Sequence, residues 1–220
     1  MSQNIQHQQS GQSGSSSGQT PAGGQSAAAG PVGQVFPTRN YLPEAVRTTS
    51  ISALTQCLAD LTAINMQLKT AHWTVKGHEF YQLHELFEEL IETFDPHIDA
   101  VAERVSALGG RPPGTVHEVA QATAVQPFPR DTYDGIALVA ALADRMATLD
   151  ANLAEQIRMA DEGGDLDTAD LLNEVSRDVS KSLWFLEAHL QGAPGTHEQY
   201  EQASGISTGA MTGQPSPNSQ

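Results

Sequence analysis

The chain has 220 residues, with 11 Lys and Arg against 26 Asp and Glu, for a formal net charge of -15. That balance argues against a protein that grips nucleic acid with its own surface, which needs clustered cations, and fits a surface that concentrates cations instead. A single cysteine excludes an internal disulfide framework and points to a reducing compartment, and no apolar run approaches the roughly 20 residues that span a bilayer.

Residues 1–38 contain no Asp, Glu, Lys or Arg and are mostly Gln, Ser, Gly and Ala. Such a segment has too little apolar surface to offset the entropy of ordering it, so a disordered tail is expected. Its first residues, MSQNIQHQQSGQ, lack the basic and apolar regions of a secretory signal, and a cytoplasmic protein with no membrane partner is expected. The spacing of Leu54, Leu58, Leu61, Leu68 and His72 predicts a first helix that stops at Gly77. Leu83, Phe87, Leu90, Phe94, Ile98, Val101, Val105 and Leu108 form the stripe of a second, closed by Gly109-Gly110 and Pro112-Pro113. The connector that follows carries HEVAQA, a short helix. Asp131 opens a third long segment, with Val139, Leu142, Met146, Leu149, Leu153 and Ile157, ended by Gly163-Gly164. A last helix opens at Asp167, with Asp170 three residues on, and carries Leu171, Val175, Val179, Leu183, Leu186 and Leu190. From Gly192 onward the chain is again free of Lys and Arg and rich in Gly, Pro, Ser and Thr.

The expected organisation is therefore a tail at 1–38, a helical domain at 39–191 and a flexible tail at 192–220. Four long amphipathic helices with a crossover between the second and third make an all-α four-helix bundle of ferritin-like connectivity. Cys57, near the apolar positions of the first helix, reads as a buried packing thiol.

Histidines and carboxylates crowd between residues 72 and 103. A solvated acidic helix face is the simplest account of such a run. No Asp or Glu is followed by His at i+3, so the Glu-x-x-His signature of a di-iron centre inside one bundle is missing. His84, Glu88, Asp99 and Glu103 nevertheless share one side of the second helix. At ~1.5 Å rise per residue the first and last of them are about 28 Å apart, so one ion cannot touch both. The four positions are symmetric about a point between Thr93 and Phe94. Two such helices, antiparallel on a two-fold axis through that point, would set 84 beside 103 and 88 beside 99. Each dimer would then hold two mixed nitrogen–oxygen sites, which His72 could complete. Imidazole with carboxylate suits iron or zinc, and a carboxylate-rich set with open positions favours Fe(II) oxidation. Pro96, inside this helix, is expected either to kink it or to begin a new one.

AHWTVKGHEFYQLHELFEEL, HIDAVAERVSALGG and ADEGGDLDTADLLNEVSRDVSKSLWFLEAHL resemble the Dps family, the miniature ferritins, over about residues 38–191. The resemblance implies a hollow homo-oligomeric shell of twelve subunits, a dodecamer, with ferroxidase centres at the two-fold interfaces. It implies that iron(II) is oxidised there, preferentially by hydrogen peroxide, and stored as a ferric mineral. Residue by residue it implies His72, His84 and Glu88 as metal ligands from one chain, Asp99 and Glu103 from its neighbour, and Trp73 beside the centre. Glu88 stands where the family usually has Asp, which puts the weaker second metal position in question. Glu85, Glu89 and Glu92 would face the cavity and nucleate mineral, although a solvated helix face explains them equally. Asp165, Asp167 and Asp170 would line a three-fold pore that admits iron, although N-capping explains Asp167 and Asp170. His78 and His97 have no role in the resemblance and read as surface or interface residues.

A nucleoid-compacting structural protein is the alternative function, and it would need a basic tail. All eleven basic residues lie between Arg39 and Lys181, so strong direct binding to DNA is not expected. An acidic bundle whose metal site has decayed is the blandest reading.

Overall fold

Five helices build the protein in a computed structural model that describes residues 35–191. They are α1 (Glu44–Thr74), α2 (Phe80–Ala107), α3 (Val116–Ala122), α4 (Gly135–Gly163) and α5 (Leu166–Gln191). The tail expected at 192–220 lies outside the described residues, as does all but the end of the one expected at 1–38. Among the described residues there is no strand, only an isolated bridge between Lys76 and Asp134, and no helix is long and apolar enough to cross a membrane.

The sequence stripes are the core. Leu54, Leu58, Leu61 and Leu68 of α1 are buried, as are Leu83, Phe87, Leu90, Phe94, Val101 and Val105 of α2. Each fully buried side chain of this kind contributes about 1.5–3 kcal/mol. These faces pair α1 with α2 and α4 with α5, and join the two hairpins through α1–α4 and α2–α5 contacts. The result is the expected all-α, ferritin-like four-helix bundle, with α3 in the crossover and packed on α1. Cys57 is buried, and burial followed by the neighbouring Asp60 pushes its thiol far up, which suits a packing residue.

Three helix starts differ from expectation, each set by the residue that caps the helix. Short helix α3 begins at Val116 behind a capping box, in which the Thr115 hydroxyl accepts from the Glu118 N–H and Glu118 accepts from the Thr115 N–H. Helix α4 starts at Gly135 rather than Asp131, with Asp134 accepting from the Ala137 N–H at 3.0 Å. The residues before it are held instead by the α1–α2 turn, where the Lys76 N–H donates to the Tyr133 carbonyl at 2.8 Å. Helix α5 is capped by Asp165 and not by Asp167: Asp165 Oδ1 accepts from the Thr168 N–H at 3.1 Å, and Oδ2 from the Thr168 hydroxyl at 2.7 Å.

Two further contacts fix the frame around the site. Arg47 at the start of α1 donates to the Leu108 carbonyl at 2.8 Å, beside Gly109. Gly109 has φ +91°, and a Cβ there would come within 2.4 Å of the Phe36 carbonyl oxygen, so glycine is required. The crossover is pinned by Asp60, which is fully buried in α1. Its carboxylate accepts from the Ala124 N–H (2.7 Å), the Thr123 hydroxyl (2.8 Å), Gln56 (3.1 Å) and Asn152 (3.3 Å).

Candidate metal centre

The turn between α1 and α2 is short, and Gly77, at φ +117°, takes the left-handed conformation that makes it so. The Phe80 N–H donates back to the Gly77 carbonyl, which places the end of α1 and the start of α2 side by side. His72 in the last turn of α1 thereby meets His84 in the second turn of α2. Their rings stack with centroids 3.8 Å apart and planes inclined by 18°.

Each ring is latched to the other helix. His72 Nδ1 donates to the His84 carbonyl at 3.0 Å, and His84 Nδ1 donates to the His72 carbonyl at 2.9 Å. A carbonyl oxygen offers only lone pairs, so both Nδ1 atoms carry a proton, and the neutral form of each ring presents Nε2 as a lone pair. Ligating histidines are usually oriented in this way, with the second nitrogen committed to a carbonyl or carboxylate.

Glu88 lies one turn beyond His84, and its Oε2 faces His72 Nε2 at 3.4 Å. In the neutral ring, with the proton on Nδ1, two lone-pair atoms confront one another across that gap. Only a proton or a cation between them makes the contact favourable. Donor atoms each about 2.1 Å from a common ion, and so separated, would subtend about 108° at it, an ordinary coordination angle. The pair therefore fits a transition-metal ion. His72 is 16 % exposed in its side chain and Glu88 49 %, so the pair is reachable from outside the subunit. The Phe80 ring lies 5.2 Å from that of His84, inclined by 28°.

Asp99 and Glu103 stand on the distal half of α2 and are exposed. They sit about 22 Å and 28 Å from His84 along the helix, and the subunit does not bring them to His72. Among the described residues no three or more His, Cys, Asp or Glu converge in one subunit to hold a metal. Between the two halves, α2 runs unbroken through Pro96, so no new helix begins there. The residues on either side of the proline are tied to neighbouring helices. Asn65 of α1 donates to Asp95 at 2.6 Å, and His97 Nε2 donates to Asp178 of α5 at 2.7 Å. His97 is thus a buried helix-to-helix contact and not the surface or interface residue expected, whereas His78 is exposed.

Trp73 follows His72 but is 68 % exposed, so it is not a core residue of the subunit. Glu85, Glu89 and Glu92 are all exposed on α2. The three aspartates expected at a pore divide. Asp167 and Asp170 are exposed, while Asp165 is fully buried and committed inside the subunit, which removes it from any solvent-facing set. Besides Thr168 it holds Arg104, whose Nη2 donates to Asp165 Oδ1 at 2.7 Å. Burial pushes the Asp165 carboxyl up, but hydrogen bonds from Ser50 and Thr168 and the Arg104 guanidinium outweigh it and hold the group below its ordinary value.

Sequence reasoning missed Phe80 and the Asn65–Asp95 contact. For Phe80 a signal existed, since it precedes His84 by four residues and so shares its helix face. Asn65 and Asp95 sit 30 residues apart, and no local pattern links them.

A ferritin-like domain model matches residues 51–195. The DNA protection during starvation protein of Agrobacterium fabrum is 38% identical over 154 residues, spanning 70% of this chain and 95% of that protein. Among solved structures, DpsC from Streptomyces coelicolor is 31% identical with a TM-score of 0.71, over 74% of this chain and 95% of its own. The Dps protein from Vibrio cholerae O1, described as a member of a broad superfamily of ferritin-like diiron-carboxylate proteins, is 29% identical with a TM-score of 0.65, over 68% of this chain and 94% of its own.

Proposed function

The chain belongs to the Dps family of ferritin-like proteins, and on that premise we propose that it takes up iron(II), oxidises it and stores the ferric product, protecting DNA by removing the reagents that damage it. The observation that carries this reading is the latched His72–His84 pair with Glu88 facing His72 Nε2 at 3.4 Å. It is a half-built nitrogen–oxygen site with its donor atoms already aimed. The other half is supplied by Asp99 and Glu103 of a neighbouring subunit, related by a two-fold axis near Thr93 and Phe94. Twelve subunits so paired close the shell, and the cytoplasm is the proposed location.

Hydrogen peroxide is the proposed oxidant. One peroxide accepts one electron from each of two Fe(II) ions; its O–O bond breaks, and two protons complete two waters. No single-electron reduction of peroxide is left to release a hydroxyl radical. The exposed carboxylates Glu85, Glu89 and Glu92 would receive the ferric product, and Asp167 and Asp170 would attract incoming iron. Trp73, beside His72, would flank the centre. Glu88, though it stands where the family usually has Asp, still brings Oε2 to 3.4 Å from His72 Nε2, which supports its serving as a ligand. Zinc takes the same kind of ligands but has no redox chemistry, so it would occupy the centre and block it.

The test is an anaerobic Fe(II) titration of the metal-free protein followed by addition of peroxide. Consumption of one peroxide per two Fe(II), with zinc inhibiting, supports the reading. Iron oxidation no faster than in buffer would leave only an acidic bundle with a decayed site.

A further inference from the structure

Three aromatic rings stand in series where the end of α1 meets the start of α2, and only two of them are proposed ligands. His84 is the middle ring, 3.8 Å from His72 and 5.2 Å from Phe80, with inclinations of 18° and 28°. Phe80 is the first residue of α2, one turn before His84, and its backbone N–H is tied to the Gly77 carbonyl at 3.2 Å. It is 46% exposed, so its ring meets His84 without being part of the subunit core.

We infer that Phe80 is a positioning residue for the metal centre, its ring holding the His84 imidazole in the orientation that aims Nε2 at the ion. The inference rests on the ferroxidase reading of that site. The ring turns about its Cβ–Cγ bond, and the single Nδ1 hydrogen bond to the His72 carbonyl is lost when it does, so that one contact only partly restrains the rotation. The His72 ring restrains that rotation by stacking, yet His72 is itself a ligand with a metal bond to form. Phe80 makes no metal bond and can restrain the ring whether or not the site is loaded. An imidazole free to turn would spend part of its time misaimed, and apparent affinity falls by the fraction of time the site is competent. A stacked aromatic pair is worth about a 2- to 12-fold change in such an equilibrium.

The experiment uses the full chain, with Phe80→Leu to remove the ring face, Phe80→Met as a second apolar replacement, and Phe80→Tyr to restore the ring. Two readouts are needed: Co(II) affinity from its visible absorption, and the Fe(II) dependence of oxidation by peroxide. The wild-type chain is measured first, because absence of Co(II) binding and of iron oxidation there would sink the ferroxidase reading before any variant is compared. Given a working wild type, Phe80→Leu should weaken Co(II) binding and raise the half-saturating Fe(II) concentration by about 2- to 12-fold. The maximal rate should stay within about two-fold, and Phe80→Tyr should recover wild-type behaviour. Unchanged affinity in an assembled Phe80→Leu protein would overturn the inference. If Phe80→Leu failed to assemble, Phe80→Met would decide by the same readouts, and failure of both to assemble would make Phe80 a structural residue and overturn it as well.

Discussion

His72 and His84 each donate a hydrogen bond from Nδ1 to the other's backbone carbonyl, at 3.0 and 2.9 Å. The two ligands thus orient one another, and the latch between α1 and α2 is made by the ligands themselves. Removing either ring leaves the other's hydrogen bond to a backbone carbonyl in place but takes away its stacking partner at 3.8 Å, so the effects should not simply add. His72→Ala, His84→Ala and the double variant are each expected to lose at least about ten-fold in Co(II) affinity, the double no more than about two-fold beyond the worse single. Losses that multiply would mean two independent ligands with no coupling through the stacked rings.

The buried Asp165 carries the second prediction, which concerns stability. Its folded pKa lies below the ordinary 3.8, so its contribution is fully present above that value and is lost as pH falls through the folded one. Asp165→Asn should cost about 3 kcal/mol at pH 7, because it removes the buried charge partner of Arg104 and leaves only the exposed Asp167 at 3.8 Å. The deficit should shrink on acidification below 3.8, as the wild-type carboxyl is protonated too. Denaturant unfolding at one protein concentration, at pH 7 and near pH 3, measures both. A deficit independent of pH would mean that packing, not charge, is what the substitution removes.

Much of this was legible before any coordinates. The stripes from Leu54 to Leu68 and from Leu83 to Leu108 are local patterns with helical period, and burial follows them closely. The common face of His84, Glu88, Asp99 and Glu103 is also local, because one continuous helix fixes it. What escaped depends on partners far along the chain. Three aspartates at 165, 167 and 170 all suit a helix start, and the choice of Asp165 depends on Arg104, 61 residues away. His97 resembles a surface residue until Asp178, 81 residues on, is set beside it.

Asp60 should be the residue on which the crossover depends. Asp60→Ala leaves the Ala124 N–H, the Thr123 hydroxyl, Gln56 and Asn152 without their common acceptor. A loss of about 2–3 kcal/mol is expected from such buried donors, with amide exchange rising first around residues 122–126. Uniform exchange across the whole bundle would show that the crossover is held by something else.

Duplex DNA should be bound weakly at physiological salt. The net charge is -15, residues 1–38 are uncharged, and residues 192–220 carry only Glu198 and Glu201. Arg39 and Arg47 are the only cations near the end of the first tail, and Arg47 is buried against the Leu108 carbonyl. One or two phosphate contacts give a shallow salt slope, about -0.9 for each. Gel-shift assays in low and physiological salt, without divalent metal, check this. Tight retardation that survives physiological salt would restore the compaction reading, and retardation only with added Mg²⁺ would mean metal bridging between anionic surfaces.

The central claim is that one working centre needs residues from two subunits, and mixed assemblies test it most directly. Chains carrying His72→Ala and His84→Ala are combined with chains carrying Asp99→Ala and Glu103→Ala, with mixing verified by native mass spectrometry. Each parent should be inactive in peroxide-driven iron oxidation. In a mixed pair one centre gathers both sets of damaged ligands, and the other gathers all the intact ones. Activity should therefore return, approaching half the wild-type rate per mixed pair. A mixture verified by mass and as inactive as its two parents would contradict a shared centre.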